Sequence, residues 1–542
     1  MRRVGKDRPV SHRPQCCQRN RIRSCQAESL RSLAFKTIAT RSCDKHKTTR
    51  RNSSMTFRKI NTYKPRLSVL NQEQMWSIHG AALEILDKTG FEMRHRGARK
   101  MLLESGCSIS RNGRIRMPAY IAEDALKTAP KRIQLYDQSG DEAMDLVDEN
   151  WYYGTGSDTI FTIDLNSGQR RRTTIEDTAN FARMIDGLEN MDFAMSMSNP
   201  ENVPIDDIYV YVFAEMITNT NKPLVFIADS GEDIAKMYDM ACLVAGGEKE
   251  LQEKPFLLNY SEAISPLVFP ENVIEKLIFC AQKKIPICLP SGCNAGGGGP
   301  VTLAGALALG IAENLVGLVV HQLAGKGSPF LFAPNVSILD MQTSIISYGC
   351  PEWSLTQAAL ADMRDKIYGL PIWAFAGASD SKVMDAQAGA EAMFSILTAM
   401  QSRCNVIHDV GYLEFGTTSS LEMLVMADEL VAMSRFFNAG IAVDTNTLAL
   451  DVIDRVALGG EQSIFLTEDH TLDHFREAHF HPRLFDRNWY DAWKESGGGD
   501  LYDRCNAEAK KILEKHVVEP KSAALLREIE DILEPPQKMV AV

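Results

Sequence analysis

The central part of the chain alternates short apolar runs with longer amphipathic segments. Between residues 289 and 391, apolar runs of about six residues are separated by segments of about fifteen to twenty, which is typical of stacked βα units and a parallel sheet. Each apolar run ends in Gly, Pro, Ser, Asn or Asp, so polar loops follow the carboxyl ends of the predicted strands. The pattern predicts an α/β fold of the (β/α)8 TIM-type barrel class, which carries its chemistry at those ends.

Seven candidate barrel strands can be placed along the chain. They are residues 192–198, 223–228, 255–260, 285–290, 329–333, 371–376 and 405–409. The eighth strand is expected at residues 441–444 or at residues 463–465. The long Ala/Leu/Val run at residues 301–323 is interrupted by Glu313 and Asn314, so we interpret it as a buried barrel helix and expect no membrane association.

The segments that flank the barrel have a different pattern. Residues 55–170 combine helical periodicity with short strands, which predicts an α+β cap. The barrel itself is assigned to residues 171–468, opened by a helix whose capping box would be Thr173 to Glu176. Residues 469–542 are charged and helical, and they are expected to form a carboxyl-terminal extension.

The charge distribution separates the first residues from the rest of the chain. Residues 1–54 contain 15 Lys+Arg and 3 Asp+Glu, a net charge of +12, so the remaining residues carry −11 − 12 = −23. The acidic body argues against nucleic-acid binding. Residues 1–54 lack apolar periodicity and are expected to be disordered, either as a targeting segment or as an extension that is not part of the natural product.

The cysteines beyond residue 54 are scattered through apolar runs and form no CxxC pair. This pattern is typical of reduced thiols in a cytoplasmic enzyme, and it provides no zinc framework. The sequence HxxxH at His470 and His474 would place two rings on one helical face, but it falls outside the strand–loop pattern. We therefore predict no bound metal.

Several short motifs have the order and spacing of a known family. They are Gly299-Pro-Val-Thr-Leu-Ala-Gly305, Asp340-Met341, Pro351-Glu352, Ser379-Asp-Ser-Lys382, Asp385-Ala-Gln-Ala-Gly389 with Glu391, and Leu484-Phe-Asp-Arg487. From about Met55 to the carboxyl end, the chain resembles the trimethylamine methyltransferase (MttB) superfamily. The resemblance implies a barrel enzyme that moves a methyl group from a methylated amine to the cobalt of a corrinoid on a separate corrinoid-binding protein.

One departure from the family shifts the expected substrate. Members that use trimethylamine carry pyrrolysine in the barrel, whereas this chain has only standard residues. The branch without pyrrolysine resembles glycine betaine:corrinoid methyltransferases, so a small quaternary amine such as glycine betaine is expected. The corrinoid would be presented by the partner, with no cofactor bound by this chain itself, and we expect a homo-oligomer. A trimethylamine activity and a non-catalytic betaine-binding barrel remain as alternatives.

The chemistry of a quaternary ammonium agrees with this expectation. Its nitrogen already carries the charge that makes it a neutral leaving group, so the protein needs to supply orientation and electrostatics but no general acid. Such a cation is bound by aromatic faces. The candidate aromatic residues are Tyr260, Trp373, Phe375 and Tyr412, each of which can alternatively be a core residue.

The polar candidates lie in the loops that follow the predicted strands. His408 ends the seventh strand and is a candidate partner for a substrate carboxylate, or alternatively a structural histidine. Asp380 is assigned with it to the catalytic set, and Asp229 and Glu262 are candidates to balance the ammonium charge. The amides of Gly297 and Gly298 could hold a carboxylate at a helix start, or the glycines could form a tight turn between helix and sheet.

Overall fold

The computed structural model describes residues 63–460 and 463–533. The chain divides into two compact units. The larger unit comprises Lys64–Asn438 and the segment from Pro482 onward, and the smaller one includes Ala439–His481. The predicted extension at residues 1–54 lies outside the described residues.

Parallel pairings in the larger unit link eight segments of the described chain into a closed circuit, which we call the ring. Seven of the pairings each join one segment to the next segment along the chain, starting at Tyr152–Tyr153 and ending at Val406–His408. The eighth pairing joins the last segment, Val406–His408, to the first, Tyr152–Tyr153. In order, the segments are Tyr152–Tyr153, 193–194, Leu224–Phe226, Leu257–Tyr260, Ile287–Cys288, Phe330–Leu331, Trp373–Phe375 and Val406–His408. The fold is therefore α/β with parallel strands.

The ring confirms the seven strands predicted between residues 192 and 409, but the position predicted for the eighth is wrong. Residues 441–444 form no strand, and residues 463–465 lead into the short 3-10 helix Phe465–Thr467. The eighth segment is Tyr152–Tyr153, which lies within the predicted cap and pairs with residues 406–407. Its length does not set it apart, because Ile287–Cys288 and Phe330–Leu331 are equally short. The sequence pattern placed it among the short strands of the cap, and only its pairing shows that it belongs to the ring.

The helices follow the predicted periodicity. In the larger unit they are Gln72–Glu84, Arg96–Glu104, Ala119–Thr128, Ile175–Gly187, Ile208–Asn219, Gly231–Ala245, Glu248–Glu253, Glu271–Lys283, Leu303–Ala324, Pro351–Met363, Ala386–Gln401, Leu421–Asn438, Tyr490–Glu495, Leu501–Lys515 and Ala523–Leu533. The capping box predicted at Thr173 is displaced by one residue, because the N-cap is Thr174, whose N–H donates to Asp177 Oδ2 at 2.9 Å. In the smaller unit the helices are Thr445–Leu448, Leu450–Leu458 and Asp469–Ala478.

A β-hairpin closes the amino-terminal end of the ring. Its strands, Ile133–Tyr136 and Glu142–Leu146, pair antiparallel, and Tyr136 N donates to Pro255 O just before a ring segment begins. Their buried side chains share a core with inward-facing ring residues such as Leu258 and Trp373. Since this end is filled, the ring can be open to a ligand only at its carboxyl end.

Strands outside the ring lie mostly in the loops that follow ring segments. Cys293–Ala295 pairs parallel with Val336–Asp340, which forms a hairpin with Ile345–Ser347. The remaining pairs are Glu92–Met93 with Val268–Phe269, Ser108–Ile109 with Ile115–Arg116, Phe161–Ile163 with Arg170–Arg172 and with Thr418–Ser419, and Tyr412–Leu413 with Thr418–Ser419.

The longest helix, Leu303–Ala324, is buried as predicted. Among the described residues it is the one helix with the length and apolar composition of a membrane span, and most of it is enclosed by the rest of the protein. Glu313 in its middle is fully buried and accepts hydrogen bonds from Leu267 N and from the hydroxyls of Ser265 and Ser291. These bonds fix the loop that follows Leu257–Tyr260 against the loop that follows Ile287–Cys288.

Candidate functional site

His408 and Asp409 end the last ring segment and are both buried. Nδ1 of His408 lies 2.7 Å from Ala374 O, and because a carbonyl only accepts, this nitrogen carries the proton. Nε2 lies 3.4 Å from Asp409 Oδ2. Burial raises the pKa of Asp409, and the neighbouring His408 opposes that shift. The pair therefore places a histidine ring of fixed orientation beside a carboxyl group at the open end of the ring.

Two of the predicted aromatic residues surround this histidine. The ring centroid of Trp373 lies 4.5 Å from that of His408, and the Tyr260 ring lies 6.1 Å from His408 and 5.7 Å from Trp373. Phe375 is farther from His408, at 6.3 Å, and stacks on Trp353 at 4.2 Å. Phe375 also contacts Tyr348, with ring centroids 5.0 Å apart, so it packs between Trp353 and the rings around His408.

Two further carboxyl groups lie close to Asp409. Burial raises the pKa of Asp158 to about 6, and the Asp409 charge adds to the shift. Burial likewise raises the pKa of Glu262 to about 7, with further contributions from Asp158, Glu313 and Asp409. Part of the Glu262 side chain is nevertheless exposed to solvent, and solvent limits the size of this shift without changing its direction.

Tyrosines complete the enclosure of the three carboxyl groups. Tyr412 is buried, and its hydroxyl donates to Ser157 O at 2.9 Å. Tyr348 lies within electrostatic range of all three carboxyl groups, whose charges and its own burial raise its pKa. We call the group formed by the following side chains the recess: Asp158, Tyr260, Glu262, Tyr348, His408, Asp409 and Tyr412. Among the described residues, no lysine or arginine forms an ion pair with any of its three carboxyl groups.

Gly156 allows the loops to approach this closely. A Cβ at Gly156 would collide with Asp409 Oδ1 and would lie 2.7 Å from the Tyr412 hydroxyl oxygen. Asp158 and Asp409 both have left-handed backbone conformations, with φ of 63° and 71°. Such conformations cost free energy in non-glycine residues and concentrate at functional sites. The backbone strain and the missing Cβ thus coincide with the carboxyl cluster.

Asp380, predicted as catalytic, is held by hydrogen bonds within the protein. Its carboxylate accepts hydrogen bonds from Ser347 Oγ and, at 2.7 Å, from Tyr348 N. Glu391 in turn accepts from Asp380 N at 2.9 Å and from Ser379 Oγ at 2.6 Å. Asp380 therefore attaches the hairpin at residues 336–347 and positions Tyr348, and its oxygens are occupied within the protein.

The amides of Gly297 and Gly298 are also occupied. Gly297 N donates to Asn294 O at 3.1 Å, and Gly298 N donates to the Asn294 side-chain oxygen at 2.6 Å. The helix begins only at Leu303, beyond the glycines. These contacts fit the alternative interpretation, a tight turn. The two N–H groups that were predicted to hold an anion already donate to Asn294.

The remaining predictions are resolved as follows. Asp229 is exposed at the end of its ring segment, where its charge adds to the rise in the pKa of Tyr209. The eight cysteines beyond residue 54 are free thiols, all buried or partly buried. His470 and His474 are adjacent, with ring centroids 4.5 Å apart. No group of three or more potential metal ligands occurs in the described parts of the chain.

The sequence interpretation missed Asp158, Asp409 and Tyr348 as site residues. Asp158 follows a ring segment that was assigned to the cap, so the rule that polar loops follow barrel strands was not applied to it. Asp409 was adjacent to His408 and satisfied that rule. Tyr348 carried no such signal, because it reaches the recess from the second strand of a hairpin.

The structure thus places an acidic, aromatic-lined candidate site at the carboxyl end of a ring of parallel strands. The profile of the family described as "Trimethylamine methyltransferase (MTTB)" matches residues 38–535. The chain belongs to this family of methyltransferases, and the resemblance found in its motifs is confirmed. The match begins at residue 38, within the extension predicted at residues 1–54.

Individual relatives differ in the substrate that they are named for. The chain is 31% identical over 468 residues to the trimethylamine methyltransferase MttB of Desulfitobacterium hafniense (strain DSM 10664 / DCB-2), covering 85% of this chain and 93% of that protein. It is 29% identical over 455 residues to the glycine betaine methyltransferase of Desulfitobacterium hafniense (strain Y51), covering 84% and 94%. Among solved structures, the monomethylamine methyltransferase MtmB of Methanosarcina barkeri is similar with a TM-score of 0.44 and 13% identity, covering 84% of this chain and 96% of that one.

Proposed function

We propose that this protein transfers a methyl group from a methylated ammonium, bound in the recess, to the cobalt of a corrinoid carried by a separate protein. The observation that carries the proposal is the composition of the recess. Three carboxyl groups share it with aromatic rings, and no described lysine or arginine neutralises them. A cationic ligand supplies the charge that such a site lacks.

The side chains of the recess match the surface of a methylated ammonium. Its methyl groups spread the positive charge over an apolar surface, which favours ring faces and nearby carboxylates. Each ring face contributes on the order of 0.5–2 kcal/mol, and the upper end applies when water is excluded. Tyr260 and Trp373 supply such faces beside His408, and Asp158, Glu262 and Asp409 supply the negative charge.

The proposed reaction needs little more than positioning. The C–N bond of one methyl group breaks, its electron pair stays on nitrogen, and the amine leaves neutral. The new Co–C bond takes its electron pair from cobalt(I) of the acceptor. The chain's own residues hold the ammonium, orient one methyl group towards the open end of the ring and exclude water. No proton has to move for a quaternary ammonium, whereas a tertiary amine must be bound with its proton on nitrogen.

These roles change the assignment made from sequence. His408 and Asp409 form the proposed catalytic pair, with Asp380 acting through Tyr348 as a positioning residue. Tyr260, Trp373, Tyr412, Asp158 and Glu262 form the proposed substrate site. We further propose that the ring is a (β/α)8 barrel, and that the cap predicted at residues 55–170 ends before the ring segment Tyr152–Tyr153. We also propose that the acceptor is presented by a corrinoid-binding protein, and that the protein acts in the cytoplasm as a homo-oligomer.

Methyl transfer can be tested directly with free cobalamin. The full chain is incubated with cobalt(I) cobalamin and a panel of methylated amines, and methylcobalamin is followed by its absorbance. We expect product with at least one methylated cation and a large loss of rate in Asp409→Asn. Glu271→Gln, at the start of a helix outside the recess, is the matched control and should keep the wild-type rate. Absence of product with every methylated cation, both with free cobalamin and with a corrinoid-binding protein as acceptor, would refute the proposal.

A binding protein without catalysis is the second candidate, because the recess could hold a betaine without reacting. The same experiment separates the two. Saturable binding of a methylated cation without methylcobalamin formation, even with a corrinoid-binding protein as acceptor, would favour the binding protein.

A further inference from the structure

The segment Ala439–His481 of the smaller unit exposes much of its apolar surface, and we call it the arm. Nine large apolar side chains in its described residues are between 37% and 86% exposed, including Ile441, Leu458 and Phe465. Val452 is the one buried residue in the described part of the arm. Apolar side chains scattered singly over a surface need no explanation, whereas such a concentration in one segment indicates a surface that a partner covers.

The helix Leu450–Leu458 shows which side of the arm is uncovered. Val452 and Val456 lie one turn apart on one side of this helix, where Val452 is buried. Leu450 and Ile453, one turn apart on the neighbouring side, are 65% and 44% exposed. A helix that is apolar over such a wide arc is typical of one packed between two partners. Only part of the arc is covered within one chain, so a second contact is expected for the rest.

The arm is also strongly acidic. Its sequence contains 8 Asp+Glu and 2 Lys+Arg, a net charge of −6. One of the two basic side chains, Arg455, is already paired within the arm with Glu468, at 2.9 Å. An apolar surface surrounded by excess carboxylates favours a partner surface that combines apolar side chains with positive charge.

The cap of the same chain carries a surface of that kind. Residues 94–116 contain 7 Lys+Arg and 1 Asp+Glu, a net charge of +6. They form the helix Arg96–Glu104 and the β-hairpin that follows it. Nη2 of Arg99 in the helix donates to Gly113 O in the hairpin turn at 3.3 Å, so the two elements form one surface.

Five exposed side chains of this surface form what we call the basic patch. Arg96, Arg111 and Arg116 form no ion pair with any residue that the structure describes, unlike their neighbours on the same elements. Ile109 on the hairpin is 49% exposed. Tyr120, whose hydroxyl lies against the turn between helix and hairpin, is 53% exposed. The basic patch therefore complements the arm both in charge and in apolar character.

The arm and the basic patch are attached at different sides of the ring. The arm follows the helix Leu421–Asn438, which comes after the last ring segment. The cap helices, Arg96–Glu104 among them, pack on Leu303–Ala324, which comes after the fifth segment. The helices Pro351–Met363 and Ala386–Gln401 lie between these two attachments. A contact within one chain would have to pass over both helices, so a contact between two chains is the more direct one.

Building on the homo-oligomer proposed above, we propose that the arm of one copy docks on the basic patch of a second copy, whose own arm returns the contact. Such an exchange is two-fold symmetric, so the same contact forms twice and neither arm stays uncovered. The apolar side chains of each arm leave water, and its carboxylates face the unpaired guanidinium groups of the other chain.

The apolar part of the contact is tested by the self-association of the full chain in sedimentation equilibrium. We expect a dimer at micromolar concentration. In Leu450→Glu the dissociation constant should rise at least about tenfold, because a charge replaces an apolar contact in the interface. Leu450 is exposed in the single chain, so the variant should fold, and circular dichroism checks this. Ile205→Glu, at a side chain that is 82% exposed on the larger unit, is the matched control and should keep the wild-type constant.

Charge reversal tests whether the arm meets the basic patch. One variant combines Asp451→Lys with Asp454→Lys on the arm, and the other combines Arg111→Glu with Arg116→Glu on the patch. Each variant alone should dissociate at least about tenfold more readily, since like charges then face each other in both contacts. A mixture of the two should form a dimer as tight as the wild-type one, because opposite charges face each other again. Lys249→Glu, exposed outside the patch, should keep the wild-type constant.

The outcomes separate this inference from the proposed function. A monomeric full chain would overturn both the homo-oligomer and the exchange of arms. A dimer that Leu450→Glu does not weaken, or reversed variants that do not recover on mixing, would overturn the exchange alone. A chain that starts at Met55 should associate as the full chain does, and its dissociation would overturn the exchange by assigning the contact to residues 1–54. A dimer with the expected properties but without methyl transfer to cobalamin would support the exchange and refute the reaction.

Discussion

Binding of a methylated cation should expel protons from the recess. Three carboxyl groups crowd into one space without a basic partner, so the empty site holds protons that a bound cation displaces. The perturbation is the addition of tetramethylammonium, which cannot itself gain or lose a proton. Any proton released must therefore come from the protein.

The expected size of the release follows from the two raised pKa values. With a pKa of about 7, Glu262 is about half protonated at pH 7, and with a pKa of about 6, Asp158 is about one-tenth protonated. A cation that keeps both ionised thus releases about 0.6 protons at pH 7. The release should rise to about 1.4 at pH 6 and fall to about 0.1 at pH 8 by the same calculation.

The sign of the pH dependence is fixed by the direction of these shifts. The ionised carboxyl groups bind the cation, so affinity increases as pH rises through 6 and 7 and levels off above 8. For the protein without ligand, the free energy of unfolding changes with pH in the opposite direction. The folded state binds more protons than the unfolded chain between the ordinary glutamate pKa of 4.5 and about 7, so the contribution of Glu262 to stability declines as pH rises through that window.

Calorimetry in two buffers with different ionisation enthalpies measures the released protons directly. In Glu262→Gln the release at pH 7 should drop from about 0.6 to about 0.1. In Asp158→Asn it should fall below about 0.5, because the pKa of Glu262 loses the contribution of the Asp158 charge. Tetramethylammonium that binds at pH 6 and 7 without releasing protons would refute the reasoning. A release that persists unchanged in Glu262→Gln would refute the assignment of the proton to that residue.

Four further predictions test the surroundings of the recess. Gly156→Ala should lower both the rate of methyl transfer and the melting temperature, because the added Cβ collides with Asp409. Gly389→Ala should lower neither, because no atom lies within 4 Å of its added Cβ, and equal melting curves for the two variants would contradict the prediction. Asp380→Asn should speed amide hydrogen exchange over residues 336–347, because it weakens the attachment of the hairpin by about 1–3 kcal/mol. An unchanged exchange rate would show that the contact is dispensable. A chain that starts at Met55 should melt at the same temperature as the full chain, and a drop of several degrees would show that residues 1–54 pack on the body. A chelator should leave the rate of methyl transfer unchanged. Loss of activity on chelation that is recovered when zinc is added would show that the protein needs a bound metal.

The predictable parts of the fold were those set by continuous local patterns. Seven ring segments were predicted because each lies in an apolar run bounded by turn residues. A parallel strand that is buried on both faces needs such a continuous run. The buried helix Leu303–Ala324 was identified for the same reason. A strand was predicted around Tyr152–Tyr153, but it was assigned to the cap. Its place in the ring is defined only by its pairing with residues 406–407, which no local pattern shows.

Hydrogen-bond roles were less predictable than positions. His408 was correctly placed at a strand end, but its sequence neighbours do not show that Nδ1 is bound to Ala374 O on the adjacent strand. The glycine amides at residues 296–299 likewise look available in the sequence. Only the folded turn shows that Asn294 accepts hydrogen bonds from three of them, those of Gly297, Gly298 and Gly299. Donor availability depends on which backbone carbonyls come near, and that is set by tertiary pairing.

The acidic character of the recess is a consequence of ring closure. Asp158 and Asp409 are far apart in sequence, but the parallel register of Tyr153 with Ile407 makes the loops after these two segments neighbours. Gly154 N donates to Ile407 O and Val410 N donates to Gly154 O, so the loops leave the ring side by side. Two carboxyl groups then lie in one space, and Gly156 has to lack a side chain for them to fit. Because the first and last segments of the ring meet here, the pairing that closes the ring also brings these two charges together. A variant that separates the two loops should therefore lose cation binding and ring stability together, whereas Glu262→Gln should lose cation binding alone.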